Sequence, residues 1–204
     1  MLSLGFQRSS SEHGVYMCTR GASRLIIGVH VDDLIIIGHN NDDIAAFKSE
    51  MKEVFRMSDL GLLSYYLKIE VHQGSDGITL RQAAYAKKLL ERNRLKDCAS
   101  ALAPKEPRLN MSNVSTTPAT EYSRIIGSLQ YLVHTRPDLA FAMGFLSQFM
   151  EKPHEEHLAA VKRVLRYISR MHAYDLHYAR KEDKSTLKLI DYSDADMVGD
   201  INTR

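Results

Sequence analysis

The chain has 204 residues, of which 44% are hydrophobic and 25% are charged, enough to bury one large core or two small ones. This composition excludes a disordered or fibrous protein. The 27 Lys and Arg residues nearly balance the 25 Asp and Glu residues and give a formal net charge of +2, so any basic surface for a polyanion must come from local clustering.

The cysteines and the apolar stretches indicate an intracellular protein with no membrane partner. Cys18 and Cys98 fit neither a disulfide framework nor a paired metal motif, and no signal peptide opens the chain. The most apolar stretch, residues 25–38, contains a histidine and two aspartates, which make it too short and too charged to span a bilayer.

Hydrophobic periodicity predicts an α+β fold. In chain order it predicts a helix end over 1–6 that closes at Gly5, strands over 24–31 and 34–38, a helix over 41–56, strands over 65–73 and 78–80 around a turn at 74–77, and a helix over 83–93. After a polar linker at 96–118 it predicts helices from 121 to an interruption at 134–137, over 138–150 and from 153 onward, and then a strand over 187–190.

Asp32 and Asp33 lie between two strongly apolar predicted strands. Adjacent carboxylates repel each other unless a cation lies between them, which indicates a Mg²⁺ site. An ordinary hairpin turn is the alternative, because Asp is favoured in turns for its local hydrogen bonds.

Several segments resemble consecutive blocks of the reverse transcriptase region of copia-type LTR-retrotransposon Pol polyproteins. They are His30-Val-Asp-Asp33, similar to the Tyr-x-Asp-Asp signature, Phe55-Arg-Met-Ser-Asp-Leu-Gly61, Tyr65–Val71, Tyr122–Leu132, Thr135-Arg-Pro-Asp-Leu139 and His157–Tyr167. They occur in the family's order, the resemblance covers practically the whole chain, and the late blocks are most like those of plant elements.

The resemblance implies RNA- and DNA-templated DNA synthesis at two Mg²⁺ ions, with Asp32 as the principal metal ligand and Asp33 as its weaker neighbour. The implied partners are an RNA or DNA primer–template duplex, deoxynucleoside triphosphates and the rest of the Pol polyprotein (fingers, integrase and RNase H). The implied location is a cytoplasmic virus-like particle or the nucleus. The family's other essential carboxylate lies upstream of these blocks, so we expect the chain alone not to polymerise DNA.

Three residues depart from the family pattern. His30 stands where the family has a tyrosine near the primer end, and an imidazole offers less stacking area and no hydroxyl. Lys68 and Asp175 stand where the family has glycines. If those glycines lie at positive φ or at a close backbone approach, each replacement costs about 1 kcal/mol or more.

Two basic clusters are candidates for contact with a nucleic acid backbone. The first, Lys87, Lys88, Arg92 and Arg94 with Lys96, would act like a thumb surface, and the second is Lys162, Arg163 and Arg166. The alternative for both is a solubilising helix face. His154-Glu-Glu-His157 lacks the four-residue histidine spacing of a zinc metalloprotease helix, so we expect no zinc there.

The resemblance divides the chain into four regions: residues 1–80 as a partial palm, 81–118 as a thumb-like helix and linker, 119–180 as a helical thumb and connection, and 181–204 as a truncated start of an RNase H-like domain. Asp194 resembles the first catalytic carboxylate of that domain, with a solvated acidic turn as the alternative. RNase H chemistry needs three further acidic partners, so we expect none of it here.

The resulting prediction is a partial copia-type reverse transcriptase. The alternatives are a noncatalytic nucleic-acid-binding remnant and an inert relic of a decayed element. A palm sheet without its first strands is expected to have an open edge and an uncovered apolar face.

Overall fold

The computed structural model describes residues 1–21, 23–95, 98–104 and 118–180 and has the predicted α+β architecture. The strands are β1 (Gln7–Arg8), β2 (Val15–Arg20), β3 (Ser23–His30), β4 (Asp33–Gly38), β5 (Tyr65–Tyr66), β6 (Ile69–Gln73), β7 (Gly77–Arg81) and β8 (Leu176–Ala179). The helices are α1 (Asn41–Val54), α2 (Ala83–Arg92), α3 (Ala119–Val133), α4 (Ala140–Ser147) and α5 (Glu155–Arg170), with short 3-10 helices at Leu2–Leu4 and Pro137–Leu139.

The first sheet is an antiparallel meander in the order β1-β2-β3-β4. Because side chains alternate across a strand, Leu25 and Ile27 lie on one face, where they pack with Cys18 against Phe47 and Met51 of α1. This small core follows from the predicted pattern of β-branched strands and a helix with apolar residues at intervals of three and four.

Helix α1 begins where the sequence predicts it. The Asn40 side chain accepts a hydrogen bond from the backbone N–H of Asp42, which satisfies one of the free donors of the first turn. The helix ends at Val54, slightly before the predicted end at residue 56, and an ion pair between Lys48 and Asp59 (3.0 Å) holds the following loop against it.

In the described residues, β1 and β4 are the edge strands of the first sheet, and the face opposite α1 is partly exposed. Met17, Ile26 and Ile37 point away from α1, and Ile37 is 58% exposed. No strand of the described residues other than β3 pairs with β4.

The second sheet has the order β5-β6-β7-β8. The prediction of one strand over 65–73 is wrong, because β5 and β6 pair with each other around a two-residue turn, with Tyr66 opposite Ile69. Leu67 and Lys68 in this turn are both left-handed, with φ of 47° and 64°. The alternating pattern runs through the turn without interruption, so the pattern does not reveal it.

The backbone angles show whether Lys68 and Asp175, which stand where the family has glycines, adopt a positive φ. Lys68 has the positive φ that favours glycine, so the condition for the expected cost is met there. Asp175 does not have a positive φ, so this source of conformational cost does not apply there.

The larger core is enclosed by α2, α3, α4 and α5. Its fully buried side chains include Tyr122, Ile126, Leu129, Leu139, Val161, Leu165 and Ile168. None of the helices in the described residues combines the length and hydropathy that crossing a bilayer requires.

An ion pair fixes the connection between α3 and α4 onto α5. Arg136 is 3% exposed, pairs with both carboxylate oxygens of Asp138 (2.9 and 2.7 Å) and donates to the carbonyl of Met171 (2.7 Å). Burial raises the pKa of Asp138, but the hydrogen bond and charge of Arg136 outweigh it, so the pKa lies below its ordinary value. Tyr167 of α5 donates a further hydrogen bond to Asp138 (3.0 Å).

The two histidines at the start of α5 form a helix cap. The His157 ring nitrogen Nδ1 accepts the backbone N–H of His154 at 2.9 Å, as part of a capping box. The His157 ring stacks on Phe149 with centroids 4.0 Å apart, and burial lowers the pKa of His157. The spacing of three residues therefore has a structural explanation.

We predict that Lys68→Gly raises the free energy of unfolding by about 0.5–1 kcal/mol, because glycine adopts the left-handed conformation without a Cβ penalty. This figure is a net gain, because the substitution also removes the contact between the Lys68 ammonium and the Tyr85 ring, whose centroid is 5.7 Å away. Urea denaturation measures the effect. Lys68→Ala is the matched control, since it removes the ring contact and keeps the strain, and it should lower the free energy of unfolding. A Lys68→Gly variant no more stable than Lys68→Ala contradicts the prediction.

Candidate functional site

The turn between β3 and β4 presents the two predicted metal ligands. His30 pairs with Asp33, which leaves Val31 and Asp32 as a two-residue turn. Asp32 therefore lies at the tip of the hairpin and Asp33 is the first residue of β4, and both are exposed. The predicted hairpin with carboxylates at its turn is confirmed.

The tip of this hairpin is strained. Val31 has a φ of 54° and is 88% exposed, and a β-branched residue rarely adopts a left-handed conformation because its Cβ substituents crowd the backbone. Such strain costs about 1–3 kcal/mol and is concentrated at functional sites. A two-residue hairpin turn requires a positive φ at its first residue, so the pairing of His30 with Asp33 imposes this conformation on Val31.

The carboxylates of Asp32 and Asp33 offer only oxygen donors, which are the ligands that Mg²⁺ prefers. Neither makes a side-chain hydrogen bond or ion pair with another side chain that the structure describes. The pair therefore fits a Mg²⁺ ion by its chemistry and its accessibility. Among the described residues, no group of three or more His, Cys, Asp or Glu side chains is placed to hold a metal ion.

Tyr66 is a neighbour of the site that sequence reasoning did not single out. Its ring meets the His30 ring edge-on, with centroids 6.3 Å apart. Burial raises the pKa of Tyr66, and the negative charge of Asp33 raises it further. The pair of tyrosines at 65 and 66 is visible in the sequence, but only the fold shows that Tyr66 reaches the hairpin.

The first basic cluster lies on one face of α2 and just beyond its end. Lys87, Lys88, Arg92 and Arg94 are all exposed, while Ala86, Leu89 and Leu90 on the opposite side are buried in the larger core. We call these four cations the basic face of α2. The structure thus brings them to one surface, as a contact with phosphates requires.

The second basic cluster is exposed only in part, and Asp194 lies outside the described residues. Arg163 of the second basic cluster donates from Nε to the carbonyl of Ala103 at 3.2 Å, so it has a structural contact, while Lys162 and Arg166 are exposed. Asp194 lies outside the described residues, as do the predicted strand over 187–190 and most of the linker over 96–118.

A line of tyrosines connects the hairpin to the helices. Next to Tyr66, the carbonyl of Leu67 accepts a hydrogen bond from the phenol of Tyr131 on α3. The rings of Tyr131 and Tyr85 meet edge-on at 5.3 Å, and the Tyr85 hydroxyl donates to the carbonyl of Ser128 (3.0 Å). The position of the basic face relative to the carboxylates therefore depends on these contacts.

A family model and several curated relatives match this chain, and they agree on the family. A family model described as reverse transcriptase (RNA-dependent DNA polymerase) matches residues 1–107. The chain is 37% identical over 204 residues to the retrovirus-related Pol polyprotein from transposon RE1 of Arabidopsis thaliana. The alignment covers 98% of this chain and 14% of that polyprotein. It is 34% identical over 192 residues to the retrovirus-related Pol polyprotein from transposon TNT 1-94 of Nicotiana tabacum, and this alignment covers 88% of this chain and 14% of that polyprotein.

A shorter relative matches over most of its length. An uncharacterized mitochondrial protein of Arabidopsis thaliana is 32% identical over 179 residues, which is 86% of this chain and 73% of that protein. The chain thus spans only 14% of the length of the two Pol polyproteins. No solved structure matches the chain. The family match, the relatives and the carboxylate hairpin together show that the chain belongs to the reverse transcriptase (RNA-dependent DNA polymerase) family, as a reverse transcriptase-like region of a copia-type retrotransposon Pol polyprotein with mostly plant relatives.

Proposed function

We propose that the hairpin of β3 and β4 supplies the Asp32 and Asp33 ligands to the Mg²⁺ site of an RNA-directed DNA polymerase. The observation that carries this proposal is the exposed carboxylate pair at a strained hairpin tip. Bound Mg²⁺ supplies the positive charge that favours loss of the primer 3′-hydroxyl proton and holds the incoming triphosphate. The strain at Val31 is consistent with a turn whose geometry is selected for ligand placement.

His30 and Tyr66 are proposed to position the primer end. His30 lies on the same side of the strand as the open face of the first sheet, and its ring is exposed. The ring of Tyr66 lies edge-on to the His30 ring, with centroids 6.3 Å apart. An imidazole held in this way still offers a flat surface for stacking, although a smaller one than a phenol.

We propose that the chain divides into four regions, whose boundaries follow the family resemblance. Residues 1–80 are proposed as a partial palm, 81–118 as a thumb-like helix and linker, 119–180 as thumb and connection, and 181–204 as the start of an RNase H-like domain. The separate cores of the first sheet and of the four helices α2–α5 support a division near residue 80.

The proposed partners are a primer–template duplex, deoxynucleoside triphosphates and further parts of the Pol polyprotein. A two-metal site needs more carboxylate ligands than the pair at this hairpin, so we propose that another Pol segment supplies the rest and that this chain alone does not extend a primer. The proposed location is intracellular, in a cytoplasmic virus-like particle or the nucleus.

The basic face of α2 supports a second candidate function, noncatalytic binding of nucleic acid. Four exposed cations on one surface attract a phosphate backbone whether or not the metal site is complete. This candidate predicts duplex binding without nucleotide incorporation.

Primer extension on a homopolymer RNA template with Mg²⁺ or Mn²⁺ tests the polymerase proposal. The chain alone should not extend the primer, and it should do so when mixed with a fingers segment from an intact copia-type element. Asp32→Asn should then lower the rate by at least about a hundredfold, because a metal ligand is lost. Asp175→Asn, which removes an exposed carboxylate elsewhere, should have no effect. Extension by the mixture that survives Asp32→Asn contradicts the assigned ligand, and extension by the chain alone contradicts the need for another segment.

Duplex binding at a series of salt concentrations tests the basic face of α2. Fluorescence anisotropy should give an affinity that falls as salt rises, and the double variant Lys87→Ala/Lys88→Ala should reduce the slope of log K against log salt by about 2, since each phosphate contact contributes about 1. Lys52→Ala/Lys152→Ala removes the same charge from exposed positions elsewhere and should leave the slope unchanged. Equal slopes for the two double variants contradict the assignment of this surface.

A further inference from the structure

We propose that His157 is a pH-sensitive switch, which holds the connection between α4 and α5 against the start of α5 when its ring is neutral and releases it when the ring takes up a proton. This inference is independent of the proposed polymerase function, because the groups involved belong to the helical core and not to the metal site. The His157 side chain is 2% exposed, and it packs among helices that the structure describes.

A backbone hydrogen bond fixes the protonation state of the His157 ring. Nδ1 of His157 lies 2.9 Å from the backbone nitrogen of His154, and this backbone nitrogen is a donor. Nδ1 therefore accepts the bond with its lone pair, which leaves the hydrogen of the neutral ring on Nε2. A protonated ring carries a hydrogen on both nitrogens, so two donors would face each other and the bond would be lost.

The surroundings of the ring disfavour a positive charge. The ring stacks on Phe149 with centroids 4.0 Å apart, and the ring of Tyr122 on α3 meets it edge-on at 6.4 Å. Burial among aromatic rings removes the water that would solvate an imidazolium. His157 also lies in the first turn of α5, where the partial positive charge of the helix N-terminus opposes a cation.

The titratable groups that face His157 do not remove this penalty. Tyr122 is neutral, because burial raises the pKa of its phenol, and it donates a hydrogen bond to the carbonyl of Leu146 (2.8 Å). Helix α4 carries no charged residue. On α5 itself, burial and then the charge of His154 lower the pKa of His157, and together they outweigh the opposite effect of Glu156.

The lowered pKa gives the direction of the pH effect. Above the ordinary pKa of 6.5 the ring is neutral whether the cap is closed or open, so the hydrogen bond contributes its full stability. As the pH falls below this value, the open form binds a proton that the closed form resists, and opening becomes easier. The effect is complete once the pH has fallen through the lower pKa of the closed form.

The release is confined to one end of α5. A protonated ring loses its bond to the backbone of His154 and its place against Phe149, which are two of the contacts between residues 148–154 and the start of α5. Further along the helix, Val161, Leu165 and Ile168 are fully buried in the core and carry no titratable group. Mild acid should therefore loosen this connection while the remainder of the helical core stays folded.

Amide hydrogen exchange of the full chain at about pH 7.5 and about pH 5, corrected for the pH dependence of intrinsic exchange, tests the switch. Protection of residues 150–157 should fall by about fivefold or more at the lower pH, since one hydrogen bond is lost, whereas residues 161–168 should keep theirs within about twofold.

Two variants assign the response to His157. His157→Gln should abolish the pH response, because glutamine is a usual partner at this position of a capping box and accepts the same bond without titrating. His172→Gln is the matched control, since it removes an exposed histidine just beyond the other end of α5 and should leave the response unchanged. Circular dichroism at neutral pH checks that each variant is folded.

Nitrogen-15 NMR of the histidine rings tests the same account in the native chain and needs no folded variant. His157 should show an unprotonated Nδ1 at neutral pH and should titrate at a lower pH than His172. A local loss of protection in acid together with this tautomer supports the proposal. Equal protection at the two pH values, a loss that extends over all of α5, a response that persists in His157→Gln, or a hydrogen on Nδ1 at neutral pH each overturn it.

Discussion

The hydrogen bond from the Tyr131 phenol to the Leu67 carbonyl is the contact on which the arrangement of the site depends. Leu67 belongs to a two-residue turn in which both residues are left-handed. The residue before it, Tyr66, contacts His30 of the metal-site hairpin, and the residue after it, Lys68, lies over the ring of Tyr85 on α2. Three consecutive residues thus join the two cores of the molecule.

The turn at Leu67 and Lys68 needs contacts with other elements to offset its strain. Each left-handed residue other than glycine costs about 1–3 kcal/mol, whereas a hydrogen bond contributes about 1 kcal/mol and an exposed cation–π contact about 0.5–1 kcal/mol. The turn therefore persists because contacts with α2 and α3 offset part of its strain. Val31 is also left-handed, and it lies next to Asp32 at the tip of the other hairpin, where it is exposed.

Much of the fold and the main site can be predicted from the sequence. The run of β-branched residues on both sides of Asp32 and Asp33 predicts the hairpin, and Asn40 predicts the start of α1, because these signals are local. The turn at Leu67 and Lys68 is missed, since an alternating pattern passes through it and no glycine marks it. Its geometry is imposed by contacts with residues distant in sequence.

The same limit explains the other differences. Tyr66 reaches His30 only when β5 lies next to β3, and Arg136 bonds to the Met171 carbonyl only when the end of α5 packs against it. Side-chain periodicity gives the buried face of an element but not its partner. The family resemblance names Asp32 and Asp33, whereas the neighbours that position them come from the structure.

Amide hydrogen exchange in Tyr131→Phe tests most directly whether the phenol of Tyr131 holds the turn and, through Tyr66, the metal-site hairpin. Loss of one hydrogen bond should speed exchange by about fivefold in residues 64–71, with a smaller increase in residues 28–34. Tyr85→Phe is the matched comparison, because it removes a hydroxyl that bonds only within the helices and should leave residues 28–34 unchanged. Unchanged exchange of both segments in Tyr131→Phe would contradict the account.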